Sequence, residues 1–168
     1  MAFARRRQPA APARAPAPIA WISTYSSEQE PMSPDPETKQ RIFPALAYED
    51  AKAAIEWLIE AFGFTERFAT PADEDGRIMH AELELEGNLV MVGSTGVGID
   101  IRSPRQLGGT TLCTYVVVGD PDAHYARAKA AEAEIVRELS DTEHGSREYV
   151  CRDLEGNLWS FGTYDPLA

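Results

Sequence analysis

The chain has 168 residues, 43% of them hydrophobic, and a formal net charge of −11. This length and composition are typical of a globular protein with one sizeable core, so a single folded domain is expected. The negative charge disfavours binding to nucleic acid and to anionic membranes, and no apolar run reaches the roughly 18 residues of a membrane-spanning helix.

Residues 1–36 form a Pro/Ala/Arg-rich segment that holds seven of the twelve prolines. The segment shows no hydrophobic periodicity, so we predict a disordered extension. Prolines also interrupt the stretch behind Arg5–Arg7, which leaves no apolar run for a secretory signal, and a cytoplasmic protein is therefore expected. Residues 1–31 carry four Arg and two Glu, so the rest of the chain has a net charge of −13.

The first half of the folded region, residues 41–94, predicts a strand, a helix and three more strands. Asp50 can cap a helix and Gly63 can end it, and the apolar residues between them recur on one face. A Gly87-Asn88 turn between two apolar runs indicates a hairpin. The predicted elements are a strand at Arg41–Ala47, a helix at Ala51–Phe62, and strands at Phe64–Thr70, Ile78–Leu85 and Leu89–Val92.

The second half, residues 110–164, repeats this order. The tetrapeptide Glu-Gly-Asn-Leu begins at Glu86 and again 69 residues later at Glu155, and the helix caps Asp50 and Asp120 are 70 residues apart. We therefore predict an α+β fold in which two tandem β-α-β-β-β units form curved mixed sheets around a shared cleft. The second set of elements is a strand at Thr111–Val118, a helix after Asp120, and strands at Ile135–Glu138, Ser146–Arg152 and Leu158–Thr163.

The two cysteines are expected to be free thiols. Cys113 and Cys151 fall on predicted strands that a third strand separates. At about 4.8 Å per strand this gap is too wide for a disulfide, which agrees with a reducing cytoplasm.

Four stretches of the chain resemble the glyoxalase/bleomycin-resistance/extradiol-dioxygenase superfamily, also called the vicinal oxygen chelate proteins. They are Tyr48–Ala51, Gly119–Tyr125, Gly145–Tyr149 and the closing segment Arg152–Tyr164. The resemblance covers about residues 41–164 and implies the doubled fold described above. It leaves the function open, because this superfamily contains lyases, isomerases, dioxygenases and drug-binding proteins on one scaffold.

Metal-dependent members of that family bind their ion through His, Gln or Glu on the first and last strand of each unit. The resemblance assigns these four positions to Phe43, Met91, Cys113 and Ser160. A catalytic divalent site needs about three N or O ligands, and only Cys113 could coordinate an ion. We therefore expect no metal and no other cofactor, and expect these four side chains to line a ligand cavity instead.

His80 and Glu82 are candidates for acid–base chemistry. Residues i and i+2 of a strand point the same way, and a carboxylate beside an imidazole favours its protonated form. Strand alternation directs both side chains to the cavity, since the intervening apolar residues belong to the core. The alternative interpretation is a hydrogen-bonded histidine at a sheet edge beside a solvated carboxylate.

Arg147, Tyr149 and Tyr115 are candidates for ligand binding. The 69-residue offset matches Tyr149 to His80 and so directs Arg147 and Tyr149 to the cavity face of the second half. A guanidinium there suits a carboxylate, phosphate or enolate oxygen, although it could instead form a surface ion pair with a nearby Glu. The tyrosines could hydrogen-bond a ligand or fill the cavity.

Together these features favour a metal-independent protein that binds an apolar or aromatic small molecule, with Arg147 as the partner of any anionic group. The alternative is a lyase, isomerase or dioxygenase-like enzyme that uses His80, Glu82 and Arg147 or a displaced metal site. A purely structural or partner-binding module, with a cavity filled by side chains, is a third possibility. The family resemblance also implies a homodimer.

Overall fold

The computed structural model describes residues 40–166, and the extension predicted over residues 1–36 lies outside this range. None of its helices is long and apolar enough to cross a membrane. The elements, in chain order, are β1 (Ala45–Tyr48), α1 (Ala51–Phe62), β2 (Thr65–Ala69), β3 (Ala81–Leu85), β4 (Asn88–Ser94), α2 (Pro104–Leu107), β5 (Cys113–Val117), α3 (Pro121–Ala130), β6 (Glu134–Asp141), β7 (Arg147–Arg152) and β8 (Leu158–Gly162).

Each half of the chain is a β-α-β-β-β unit with its own four-stranded mixed sheet. The strand orders are β1-β4-β3-β2 and β5-β8-β7-β6, and in each sheet the first strand of the unit pairs in parallel with the last. The predicted fold class is therefore confirmed. The short helix α2, in the connection between the units, was not predicted from the sequence.

Strand β1 begins four residues later than predicted. Ala45 pairs with Met91 on β4, but the preceding residue pair is replaced by a side chain. The Gln40 amide donates to the Leu89 carbonyl at 2.9 Å and accepts from the Leu89 N–H at 2.7 Å. This side-chain amide takes the place of a strand backbone, so the backbone pairing with β4 begins at Pro44, whose carbonyl accepts from the Met91 N–H at 2.8 Å.

The two units share one hydrophobic core. Helices α1 and α3 contact each other, and the Phe62 ring at the end of α1 lies 5.5 Å from Trp159 and 4.7 Å from Phe161 on β8. Trp159 and Phe161 are completely buried. Both cysteines are free, Cys151 being buried.

The N-terminus of α1 is held by two acidic side chains, one from each unit. Asp50 is the N-cap, and its carboxylate accepts from the Ala53 N–H at 3.0 Å. The buried carboxylate of Glu155 accepts from the Glu49 N–H at 2.8 Å and from the Asp50 N–H at 3.0 Å. Negative charge is favourable at this end of a helix, so the second unit fixes where the first helix begins.

The C-terminus of α1 is held by two basic side chains of α3. Arg127 donates to the Glu60 carbonyl at 2.7 Å and to the Ile59 carbonyl at 3.2 Å. The His124 ring bonds through Nε2 to the Phe62 carbonyl at 3.0 Å. The Ile59 carbonyl also accepts from the Gly63 N–H at 3.2 Å, whereas carbonyls in the last turn of a helix otherwise lack a partner within it. The Arg127 cation also interacts favourably with the negative end of the helix dipole.

Asp153, in the turn between β7 and β8, is the most heavily hydrogen-bonded buried side chain that joins the units. Its Oδ2 accepts from the Tyr48 hydroxyl at 2.7 Å and from the Trp159 indole N–H at 3.0 Å. Asn157 donates to both carboxylate oxygens, and the Glu155 N–H donates to Oδ1. Burial, with the charge of Asp153 adding to it, raises the pKa of Tyr48 well above its usual value, so its hydroxyl stays a donor.

The turns that join the last two strands of each unit differ in length by one residue. In the first unit Glu84 pairs with Leu89, and in the second Arg152 pairs with Leu158. The offset between the units is therefore 69 residues on the last strand but 68 on the strand before it. Because successive side chains of a strand point to opposite faces, this single residue reverses the faces of β7 relative to the prediction.

The predicted placement of Arg147 and Tyr149 on the cavity face is wrong for this reason. Tyr149 and Cys151 are completely buried in the shared core, on the side of the helices. Arg147 lies on the same side and bonds to Asp122 of α3. Glu148 occupies the position that corresponds to His80.

We expect Asp153→Asn to destabilise the fold by at least about 2 kcal/mol, because hydrogen bonds to a buried charged acceptor contribute most when several donors depend on it. Urea unfolding at neutral pH measures this loss. Asp100→Asn is the control, since the Asp100 side chain is 89% exposed. Equal unfolding midpoints for the two variants would contradict the role given to Asp153.

Stability should fall as the pH drops from about 6.5 to about 4, through His124. Burial lowers the pKa of His124 to about 4, whereas an unfolded histidine titrates near 6.5. Between these values the unfolded chain binds a proton that the folded chain excludes, so acid favours unfolding. The neutral ring donates from Nε2 to the Phe62 carbonyl and accepts at Nδ1 from the Tyr149 hydroxyl at 2.6 Å.

The measurement is urea unfolding at pH 7 and pH 5 for the wild type and for His124→Gln, which cannot take up this proton. The wild type should lose about 1 to 2 kcal/mol more than the variant between the two pH values. An equal loss in both proteins would show that His124 does not titrate in the folded state as described.

Candidate functional site

A pocket of about 60 Å³ lies on the outer face of the first sheet, the face turned away from the helices. Its floor is apolar and comes from alternate residues of β1 and β4, because these point away from the core. The lining residues are Ala45, Leu46, Ala47, Met79, His80, Met91, Val92, Gly93, Ser94, Val97, Ile99 and Ile101. Two of the predicted site residues, His80 and Met91, are among them.

The pocket exists in the first unit because small residues line its floor. Ala45 pairs with Met91, and the corresponding pair in the second unit is Tyr115 with Ser160. A Cβ atom at Gly162 would lie 2.9 Å from the Tyr115 hydroxyl and 2.5 Å from Cγ of Glu148, so these side chains cover the second sheet. The outer face of the first sheet has an alanine where the second has the tyrosine ring.

His80 is a polar residue in the lining of the pocket, and Glu82, which is not in that lining, contacts its ring. The His80 Nε2 atom lies 3.2 Å from Glu82 Oε1, and the two side chains are 16% and 30% exposed. The His80 N–H donates to the Thr70 hydroxyl at 3.2 Å, which anchors the strand end that carries the ring. The predicted pairing of the two side chains is present, at a distance that permits proton transfer between them.

The connection between the two units covers part of the pocket. Val97, Ile99 and Ile101 contribute to the lining, although no element or site residue was predicted in this stretch. Alternating apolar residues between Val97 and Ile101 were the signal that could have revealed this contact. Ile99 and Met79 are each more than one third exposed, so the pocket opens between them.

Arg147 is committed to ion pairs away from this pocket. Its guanidinium lies 2.7 and 2.8 Å from the two carboxylate oxygens of Asp122 and 3.1 Å from Asp141. Hydrogen bonds to these two carboxylates raise its pKa further. The structure therefore separates Arg147 from His80 and Glu82, which lie on the other unit.

The remaining predicted site residues do not form one cluster. Phe43 precedes β1 and is 38% exposed, Ser160 is buried and pairs with Tyr115, and Cys113 lies at the exposed start of β5. Tyr115 accepts at its hydroxyl from the Tyr164 N–H at 3.0 Å. Tyr149 donates to His124 within the core and cannot reach a ligand on either outer face.

The donor set does not fit a divalent metal. At the four positions that the family resemblance assigns to ligands, only the Cys113 thiol is a potential strong donor, and desolvation raises its pKa, which disfavours the thiolate that metals bind. Within residues 40–166, no three His, Cys, Asp or Glu side chains are grouped so that they could hold an ion. His80 and Glu82 alone supply too few ligands.

Comparison with known proteins places this geometry in a family. The profile of the Glyoxalase/Bleomycin resistance protein/Dioxygenase superfamily matches residues 42–161, more than half of the chain. An uncharacterised protein of Mycobacterium tuberculosis is 35% identical over 122 residues, which are 71% of this chain and 71% of the relative.

Solved structures show the same fold. TioX from Micromonospora sp. ML1 is 40% identical with a TM-score of 0.61, over 73% of this chain and 94% of TioX. A glyoxalase I variant from Zea mays is 16% identical with a TM-score of 0.59, over 76% of this chain and 46% of the maize chain. The extent of these matches and the doubled β-α-β-β-β architecture show that the chain belongs to the glyoxalase/bleomycin resistance protein/dioxygenase superfamily.

Proposed function

We propose that the protein binds an apolar or aromatic small molecule on the outer face of its first sheet, without a metal. The observation that carries this proposal is the apolar floor of Ala45, Ala47 and Met91 with His80 in the lining and Glu82 in contact with the His80 ring. Ligand sites commonly combine apolar walls with a few polar groups that fix orientation.

The polar part of the ligand should meet His80 and Glu82. An anionic group, for which Arg147 was the expected partner, finds that guanidinium occupied by Asp122 and Asp141. A hydrogen-bond donor on the ligand suits the Glu82 carboxylate better than an anion does, because two like charges at close range repel.

A second candidate function is catalysis by the His80–Glu82 pair, as a metal-independent lyase or isomerase. The 3.2 Å contact supports it, because a carboxylate-oriented imidazole beside an apolar surface can transfer protons to or from a bound substrate. If catalysis occurs, His80→Ala should abolish turnover while leaving ligand affinity largely intact. Loss of affinity without any turnover in the wild type would favour binding alone.

The ligand also needs a cover, since about 60 Å³ is too small for an aromatic ring. We propose that a second copy of the chain supplies it by packing against the mouth of the pocket in a homodimer. Met79 and Ile99 at the mouth are 39% and 37% exposed, and burying such apolar surface stabilises an interface.

Ligand binding is tested with Nile red, a neutral apolar dye whose fluorescence rises in an apolar site. We expect saturable binding to the wild type and at least about tenfold weaker binding to Ala47→Phe, because the added ring fills the floor. Ala126→Phe, at an exposed position of α3, is the matched control and should bind normally. Undiminished binding by a folded Ala47→Phe variant would show that the dye does not bind in this pocket.

The homodimer is tested by sedimentation equilibrium at micromolar concentration. The wild type should sediment at twice the chain mass, and the double variant Met79→Lys, Ile99→Lys should sediment as a monomer, because unpaired charges are costly to bury. Val136→Lys, at another exposed apolar position, should leave the dimer intact. A monomeric wild type would contradict the proposal that a second copy of the chain covers the pocket.

A further inference from the structure

A second and larger cavity lies between the two units. Its volume is about 280 Å³, and it does not include the outer-face residues His80 and Met91. Its walls come from Pro44, Phe64, Leu85 and Val90 of the first unit and from Tyr115 and Val117 of the second. Both units therefore contribute to one concave surface, which the proposed function does not use.

The cavity reflects a difference in side-chain size between equivalent positions of the two units. The corresponding place at the other end of the interface is filled by Trp159 and Tyr48, both completely buried. The strand registers match Trp159 to Val90 and Tyr48 to Val118. Two aromatic rings in one half are thus replaced by two valines in the other, and one of these valines, Val90, lines the cavity.

The cavity also lacks the buried carboxylate that is present at the equivalent place at the other end of the interface. Asp153, which accepts from the Trp159 indole N–H at 3.0 Å, corresponds in the first unit to Leu85. None of the cavity-lining residues within 40–166 is charged. Burying a charged ligand there would be unfavourable, so the cavity selects neutral molecules.

Hydrogen-bonding groups are still available along β5. Within the described chain β5 pairs only with β8, and the Val118 N–H donates to the Gly162 carbonyl at 2.9 Å. Alternate peptide groups of a parallel strand face its two sides, so those of Tyr115 and Val117 face the unpaired edge. Both residues line the cavity, so its wall offers backbone donors and acceptors in addition to the uncharged polar side chains of Gln40, Asn88 and Thr114.

We propose that this inter-unit cavity is a second binding site, for a neutral bicyclic aromatic molecule of the size of indole. An apolar cavity of about 150 Å³ in another protein takes up benzene, so about 280 Å³ has room for two fused rings. The indole of Trp159 already fills the equivalent place, and a free indole N–H can donate to a carbonyl on the edge of β5. Such a ligand contacts both units and stabilises them against separation.

The test titrates 5-fluoroindole into the full-length protein and follows its ¹⁹F resonance. We expect saturable binding, and in ¹H–¹⁵N spectra the amide signals of Leu85 and Val117 should move while those of His80 and Ile99 stay in place. Val90→Trp, which restores the side chain found at position 159, should weaken binding at least about tenfold. Met91→Phe is the matched control, since its side chain lies on the opposite face of β4.

Val116→Phe is a second filling variant and should also weaken binding, in case Val90→Trp does not fold. The proposal is overturned if the wild type shows no saturable binding at millimolar probe, or if the shifted amides are those of His80 and Ile99. Loss of binding in Met91→Phe alone would assign the probe to the outer-face pocket. Because the probe and the reporting amides differ from those of the dye titration, either site can fail without the other.

Discussion

The architecture depends on two buried carboxylates in one turn of the second unit. Glu155 accepts the N–H groups that precede α1, and Asp153 accepts from Tyr48, at the end of the strand before that helix. Arg127 and His124 hold the other end of the same helix. Helix α1 is therefore fixed at both ends by groups outside its own unit, and neither sheet can move relative to the other without exposing unpaired polar groups. The shared aromatic core follows from this fixed arrangement.

Most of the fold could be predicted from the sequence because the duplication is visible in it. The caps Asp50 and Asp120 and the paired Glu-Gly-Asn-Leu turns locate both helices and both closing hairpins. The site was less predictable. Strand alternation put His80 and Met91 on one face, and both line the outer-face pocket, but it misplaced Arg147 and Tyr149, because Leu154 adds one residue to the second turn. Equal spacing of two motifs does not fix the register of the strand before them, since a one-residue difference reverses its faces.

The two units have diverged where they once were equivalent. His80 with Glu82 on the first outer face corresponds in position to Glu148 on the second, where Arg137 pairs with Glu148 at 2.9 Å. The second face has this ion pair and the Tyr115 side chain near Gly162, and the first has an apolar floor with a histidine in its lining. Large side chains in one unit thus have smaller counterparts in the other. Each such difference between the units is a place where a binding site can form in one of them alone.

The turn Asp153–Asn157 has a consequence for how such sequences are compared. The closing segment that contains this turn is one of the stretches that carry the family resemblance. Its acidic side chains, however, accept hydrogen bonds from backbone N–H groups, a tyrosine and an indole inside the protein. None of them lies in either cavity. Selection for folding alone would preserve this turn while the residues around the pockets changed freely. Two proteins can therefore have the same turn and still bind unrelated molecules.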